Sequence, residues 1–206
     1  ELDDEVAVIK QEADLTATVP AVILETIARF TRYARDNPSI DRRSGVSARF
    51  SIAAAETVAA AALHRATVTG EETAVARIVD LESVVEVLRG KIEFESGEEG
   101  RELEILDHLM RKSKADAVRA HLGGVDLASL VTALEEGDPV VTGDRVTAAA
   151  FLASIPDVPV LDEIATRLDA DTEGKRANAI ELALEGLYLT RRIDKEADES
   201  GQTVYG

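Results

Sequence analysis

The sequence contains no cysteine and no tryptophan, and only 3% of its 206 residues are aromatic. Without cysteine the chain can form neither a disulfide nor a thiolate metal site, a composition that fits a cytoplasmic protein. Because large aromatic side chains are scarce, the core has to be built from alanine, valine, leucine and isoleucine, which let helices approach one another closely. The 45% hydrophobic content is enough for one large or two small domains. We therefore expect a folded, helical protein.

Positive charge is also scarce, since 23 lysines and arginines face 40 acidic residues and the net charge is −17. Such a chain repels nucleic-acid phosphates and anionic membrane surfaces, so we expect no nucleic-acid partner and no membrane partner. The sequence has no secretory signal and no apolar run near the roughly 20 residues of a membrane-spanning helix. It opens with Glu1 rather than methionine, and we expect it to begin inside a longer protein.

The basic residues are not evenly spread along the chain, and six arginines lie close together in its first quarter. Gly45 provides a flexible entry, and Ser44 or Ser47 can cap a helix that follows. Arg49 then falls in the first turn of that helix, where the helix dipole and the guanidinium both favour an anion. This pattern predicts an element that faces phosphate. Six arginines gather around it: Arg29, Arg32, Arg35, Arg42, Arg43 and Arg49.

The spacing Gly45-x-Ser47-x-Arg49, followed by an alanine-rich helix, resembles the sensor-2 motif of AAA+ ATPases in the magnesium-chelatase I-subunit and MoxR branch. The resemblance implies that Arg49 reaches the γ-phosphate of ATP and is the catalytic residue of this fragment. It also implies that Ser47 and Arg43 lie beside the nucleotide.

The resemblance to magnesium-chelatase-like ATPases extends over about the first half of the chain. It is carried by the run from Asn37 to Phe50 and by the segment from Arg77 to Val84. It implies a helical lid that works with an AAA+ core of the same polypeptide, with neighbouring subunits of a homo-oligomeric ring, and with a chelatase-type or VWA-domain protein as a partner. Whether the parent protein inserts magnesium into a porphyrin is not readable from a lid.

A complete ATPase of this kind needs a glycine-rich phosphate loop that ends in Lys-Ser or Lys-Thr, and an acidic strand that holds magnesium. The sequence contains neither, and the pairs Gly90-Lys91 and Gly174-Lys175 lack the surrounding pattern. ATP and Mg²⁺ are therefore expected only together with a separate core module, and the fragment alone is expected to hydrolyse no ATP. The alternative is a stand-alone helical interaction or adaptor module without a nucleotide role.

Three look-alike sites are excluded by their patterns. Gly45 to Arg49 resembles a hydrolase nucleophile elbow, but the second glycine is replaced and no strand precedes it. The acidic run from Glu93 to Glu104 lacks the alternating oxygen ligands of a calcium loop. The three histidines, His64, His108 and His121, are too far apart in sequence for a zinc motif. We expect no metal site within the chain.

The hydrophobic spacing predicts an all-α fold, in which an AAA+ lid-type helical domain over residues 1–96 is followed by a helical C-terminal extension over residues 97–206. The boundary is placed in the polar run from Glu93 to Glu104. The tail from Glu196 to Gly206 is predicted to be loose. Helices are predicted over residues 20–37, 47–66, 71–78, 80–90, 103–122, 127–137, 144–152, 161–168 and 172–195, and residues 1–10 are predicted to be a short helix or a frayed linker.

Overall fold

The computed structural model describes residues 1–41, 46–197 and 202–206. In these residues the fold is all-α, as predicted, with nine α-helices and one small sheet. The helices are α1 Leu2–Glu12, α2 Ala21–Asp36, α3 Ala48–Thr69, α4 Glu82–Arg89, α5 Glu102–Leu122, α6 Ala128–Glu136, α7 Ala148–Ser154, α8 Val160–Arg167 and α9 Glu173–Leu189. A 3₁₀ turn, Ile78–Leu81, leads into α4, and the strands are β1 Val140–Thr142, β2 Lys195–Ala197 and β3 Thr203–Tyr205.

The helix boundaries follow the local signals in the sequence. The helix α2 starts after Pro20 and ends before Asn37-Pro38, because proline suits a helix start and cannot continue a helix. The helix α3 ends where Gly70 adopts a left-handed conformation with φ of 77°, which costs glycine little.

Two of the predicted helices differ from the structure, one in its existence and one in its start. The helix over residues 71–78 does not form, because Val75 pairs with Thr18 in an isolated parallel bridge. The backbone of Thr18 bonds the two neighbours of Val75: Thr18 N donates to Ala74 O at 2.9 Å, and Ala76 N donates to Thr18 O at 2.8 Å. The helix α7 begins after Thr147 rather than at Asp144, since the Thr147 hydroxyl accepts a hydrogen bond from Ala150 N.

The C-terminal residues also differ from the prediction. The helix α9 ends at Leu189 rather than at Lys195, and the tail predicted to be loose contains β3, the central strand of the sheet. Strand β3 pairs antiparallel with both neighbours, so that Tyr205 lies opposite Val140 on one side and Lys195 on the other. Tyr205 is buried, and burial of this side chain holds the last residues against the helices.

One hydrophobic core extends through both predicted domains. The helix α5, which follows the predicted boundary, packs against α2 from the first half and against α9 from the second. The polar run itself is tied down at one end, where Asp41 N donates to Glu93 O at 3.0 Å and Glu95 N donates to Ser39 O at 2.9 Å. The division at residues 96–97 stays a prediction, and the two parts share their packing.

Candidate functional site

The predicted phosphate-facing element lies at the start of α3. Ser47 takes the N-cap position with extended backbone, φ −100° and ψ 178°, but its hydroxyl makes no capping hydrogen bond. Of the two serines predicted as possible caps, Ser47 occupies the N-cap position without a side-chain cap, and Ser44 lies outside the described residues. The Phe50 amide of the first turn donates to the Ser47 backbone oxygen at 2.9 Å, so Ala48 and Arg49 contribute the amides that remain for an anion. Arg43, with Arg42, Ser44 and Gly45, lies outside the described residues.

Arg49 is the second residue of α3, and its side chain is exposed. It has no hydrogen-bond or ion-pair partner in the described part of the chain, and the first turn of α3 carries no acidic residue. The backbone beneath it is anchored by Phe50, which is buried and stacks on Phe30 with ring centroids 5.8 Å apart. Arg49 thus combines a fixed backbone with a free guanidinium.

The helix α2 brings two further arginines to this place. Arg35 donates from Nε to the backbone oxygen of Val46 at 3.0 Å, two residues before α3 begins. Arg32 and Arg35 line a shallow depression of about 340 Å³ together with Ala48, the first residue of α3. The structure therefore places Arg32 and Arg35 beside the start of α3.

Arg29, the third arginine of α2, is not part of this group. It is half-buried and acts electrostatically on Glu25 and Tyr33, and its Nε is buried without a hydrogen-bond partner. Tyr33 donates a short hydrogen bond to Asp116 of α5. This hydrogen bond joins α2 to α5, and Arg29 lies beside that contact.

The acidic helix α1 forms the other wall of the depression. Glu5 forms an ion pair with Arg35, with Oε1 3.0 Å from Nη2, and Glu1 and Asp4 also line the depression. The Arg35 side chain is 44% exposed in this pair, so water screens the attraction and the pair is weak. Of the arginines described at the start of α3, Arg35 is held in an ion pair, whereas neither Arg32 nor Arg49 forms one within the described residues.

A second group of charged residues is buried between the helices and was not predicted from the sequence. Arg65 of α3 binds Asp80 through two hydrogen bonds of 3.2 and 3.1 Å, and it reaches Glu71 at 2.7 Å. The Asp80 carboxylate also accepts from the backbone N of Arg77 at 2.7 Å. The segment from Arg77 to Val84 is therefore held to α3 by the ion pair between Arg65 and Asp80.

Arg77 continues this group toward the C-terminal half. Its guanidinium donates to Glu181 of α9, to the Thr142 hydroxyl of β1 at 2.7 Å and to the Val146 carbonyl at 2.8 Å. Arg77 is completely buried, and a buried charge of this kind is tolerated because its donors are paired. One guanidinium thus links residues that are more than sixty positions apart in sequence.

A third charged group surrounds Glu185, one helical turn after Glu181 on α9. Its carboxylate binds Lys114 of α5, Lys195 of β2 at 3.1 Å and the Tyr205 hydroxyl of β3 at 2.9 Å. Burial alone would raise the pKa of Glu185, but the two ammonium groups outweigh it and lower the pKa to about 2. Burial and the nearby Glu185 carboxylate raise the pKa of Tyr205, which therefore remains a hydrogen-bond donor.

The sequence of α9 contains a pattern from which these buried charges could have been predicted. Glu181 and Glu185 are spaced four residues apart in a helix that is apolar on its other faces. An acidic pair in such a helix predicts buried basic partners. Their identities, Arg77, Lys114 and Lys195, depend on tertiary contacts and cannot be read from spacing.

No group of three or more histidine, aspartate or glutamate side chains in the described ranges converges on a position that could hold a metal ion. None of the helices in the described part of the chain combines the length and apolar character needed to cross a lipid bilayer. Comparison with known proteins returns no matching family model, no matching curated protein and no matching solved structure.

Proposed function

We propose that this chain is the C-terminal helical part of a magnesium-chelatase-like AAA+ ATPase, in which a lid closes over ATP bound by a separate core module. The observation that carries the proposal is the state of Arg49, which is exposed and unpaired in the described residues at a helix start without a side-chain cap. This is the position that the resemblance assigns to the arginine of the sensor-2 motif.

The physical case for Arg49 rests on its surroundings. A helix N-terminus carries partial positive charge, and a guanidinium beside it adds a planar set of donors that fits phosphate oxygens. The first turn of α3 contains no carboxylate that would compete with a phosphate. Because Phe50 fixes the adjacent backbone, little conformational entropy is lost when the guanidinium binds, beyond that of the side chain itself.

Arg35 and Arg32 add positive charge beside the start of α3. The Arg35 side of the Arg35–Glu5 pair is open to solvent while Glu5 is largely covered, and pairs screened by water contribute about 0.2–1 kcal/mol. A nucleotide phosphate, with more than one negative charge, can compete with a single carboxylate for that guanidinium. The two α2 arginines would then strengthen the positive field around the γ-phosphate.

The proposed ATPase cycle depends on groups outside this chain. The phosphate loop and the magnesium ligands would belong to the core module, and Arg49 would stabilise negative charge on the γ-phosphate. Nucleotide state would be transmitted around a homo-oligomeric ring in the cytoplasm and used to remodel a partner, of the chelatase or VWA-domain type. The buried contacts of Arg77 with Glu181 would carry motion of the lid into the C-terminal half.

A stand-alone interaction module is the second candidate, and one observation favours it. Arg35 already binds an acidic helix of this chain through Glu5, so the same arginines can bind an acidic surface of another protein. In that case Arg49 would be a contact residue without a role in nucleotide hydrolysis.

The test is the steady-state ATPase rate of the parent protein that contains both this chain and its core module. Arg49→Ala should lower the rate by on the order of a hundredfold or more, since arginines that stabilise phosphoryl transfer have effects of this size. Arg89→Ala is the matched control, because Arg89 is an exposed arginine at the other end of a helix, in the last turn of α4. Normal turnover in a well-folded Arg49→Ala protein would reject the nucleotide role and leave the interaction module.

A further inference from the structure

A groove of about 450 Å³ lies between α4, α5, the end of α9 and the strands β2 and β3. It shares no lining residue with the depression at the start of α3. The groove has a short apolar strip that reaches solvent, formed by Leu103, which is 39% exposed, and Tyr188, which is partly buried. Val85 and Met110 also line the groove, but both are buried.

The charges of the groove are arranged in two layers. At its base, the Lys114 and Lys195 ammonium groups bind the Glu185 carboxylate, and Lys195 also lies 3.5 Å from Glu82. These basic groups are therefore largely compensated by carboxylates of the chain itself.

The rim of the groove is predominantly acidic. Glu86 and Glu196 are exposed and Asp107 is half-exposed, and none of the three has an ion-pair partner within the described residues. Arg111 is the basic residue among the exposed side chains that line the groove. The rim thus presents uncompensated negative charge around an apolar strip.

The acidic side chains do not converge as ligands of a cation would, since no described group of three or more acidic or histidine side chains is arranged for a metal ion. An apolar strip bordered by separate carboxylates instead complements an amphipathic segment whose apolar side chains enter the groove and whose lysines or arginines meet the rim. We propose that this groove binds a basic, amphipathic helix of a partner protein. Arg111 would fix the orientation of the bound segment by repelling its basic side chains at one position.

The experiment uses the full 206-residue chain and a fluorescently labelled synthetic peptide. The peptide has about 14 residues, or about four helical turns, with leucines on one face and lysines on the other. A second peptide replaces every lysine with glutamate, and a third has the composition of the first in scrambled order. Binding is measured by fluorescence anisotropy at physiological ionic strength, where attraction between distant charges is screened.

Two variants and one control separate docking in the groove from general attraction to an acidic protein. Glu86→Lys reverses one rim charge and should weaken binding of the basic peptide roughly three- to tenfold. Leu103→Asp makes the chain more acidic but removes the apolar contact. The groove predicts weaker binding for this variant, whereas general electrostatic attraction predicts tighter binding. Glu135→Lys is the control, because Glu135 is an exposed glutamate of α6 outside the groove.

The proposal is supported if the basic peptide binds, the glutamate and scrambled peptides do not, and both groove variants bind more weakly while Glu135→Lys stays within about twofold. It is overturned if Glu86→Lys and Glu135→Lys have equal effects, if Leu103→Asp binds more tightly, or if no peptide binds. A dimer seen by sedimentation that Leu103→Asp dissociates would also overturn it, because the groove would then be an interface between copies. Circular dichroism of each variant establishes that it is folded.

Discussion

Replacement of Glu185 by glutamine removes one negative charge from the centre of a buried ion network while keeping the size and shape of the side chain. The charge that is lost is shared by Lys114, Lys195 and the Tyr205 hydroxyl. These partners come from α5, β2 and β3, so the substitution tests whether the network stabilises the joining of the C-terminal strands to the helices.

The expected loss of unfolding free energy follows from the lowered pKa of Glu185 and from the burial of its partners. A carboxylate pKa lowered from 4.5 to about 2 corresponds to about 3 kcal/mol of stabilisation of the folded state. Removing one partner of a buried ion pair generally costs about 3–5 kcal/mol. The Lys195 side chain keeps 18% of its exposure and a contact with Glu82, which reduces the penalty. We expect Glu185→Gln to lower the free energy of unfolding by about 2–4 kcal/mol.

The assay is urea denaturation followed by circular dichroism over a range of pH. The pKa of Glu185 is lower in the folded chain than in the unfolded chain, so its stabilisation is fully present above about pH 5 and is lost as the pH falls from 4.5 toward 2. The difference between wild type and Glu185→Gln should therefore be constant near neutral pH and shrink in acid. Glu135→Gln, at an exposed position, should stay within about 0.5 kcal/mol of wild type.

Two results would refute this reasoning. One is a Glu185→Gln protein as stable as the Glu135→Gln control at pH 7, which would mean that the two lysines are solvated without their carboxylate. The other is a difference that does not change between pH 6 and pH 3, which would show that the lost interaction does not depend on the charge of Glu185.

Three further predictions concern packing, flexibility and the nucleotide. Gly186→Ala should destabilise the fold by about 1–3 kcal/mol, because a Cβ there would lie 2.7 Å from Val118 Cγ1. Adding Val118→Ala to that variant should recover part of the lost stability in urea denaturation, and no recovery would refute the predicted contact. Limited proteolysis should cut first at residues 96–101, a polar turn with two glycines at positive φ, and a first cut near Pro139 or Pro156 would contradict this. The 206-residue chain alone should bind ATP weakly at best, because a few arginines do not replace a phosphate loop, and micromolar affinity by isothermal titration would reject that expectation.

Much of the helical architecture was predictable because its signals are local. The proline before α2, the glycine after α3 and the apolar spacing of α5 act within one or two turns of the chain, and the helices lie where these residues indicate. The prediction of a helix over residues 71–78 was wrong because Val75 pairs with Thr18, and this contact between residues far apart in sequence outweighs the local helical spacing.

The candidate site was predictable in part for the same reason. The position of Arg49 in the first turn of a helix depends on the residues just before it, whereas the sequence does not determine that Ser47 makes no capping hydrogen bond. The approach of Arg35 to Val46, and the acidic helix α1 beside it, required the packing of α1 and α2 against α3.

By itself the sequence determined an acidic, cysteine-free, helical chain with an arginine at the start of a helix, because composition and short-range periodicity are properties of neighbouring residues. Only the tertiary structure decided which charges are buried together. Arg77 and Glu181 are 104 positions apart, and Lys114 and Glu185 come from helices separated by three others. Such pairs form because a charge that leaves water must find an opposite charge in the folded core, and that partner is chosen by packing in three dimensions rather than by position along the chain.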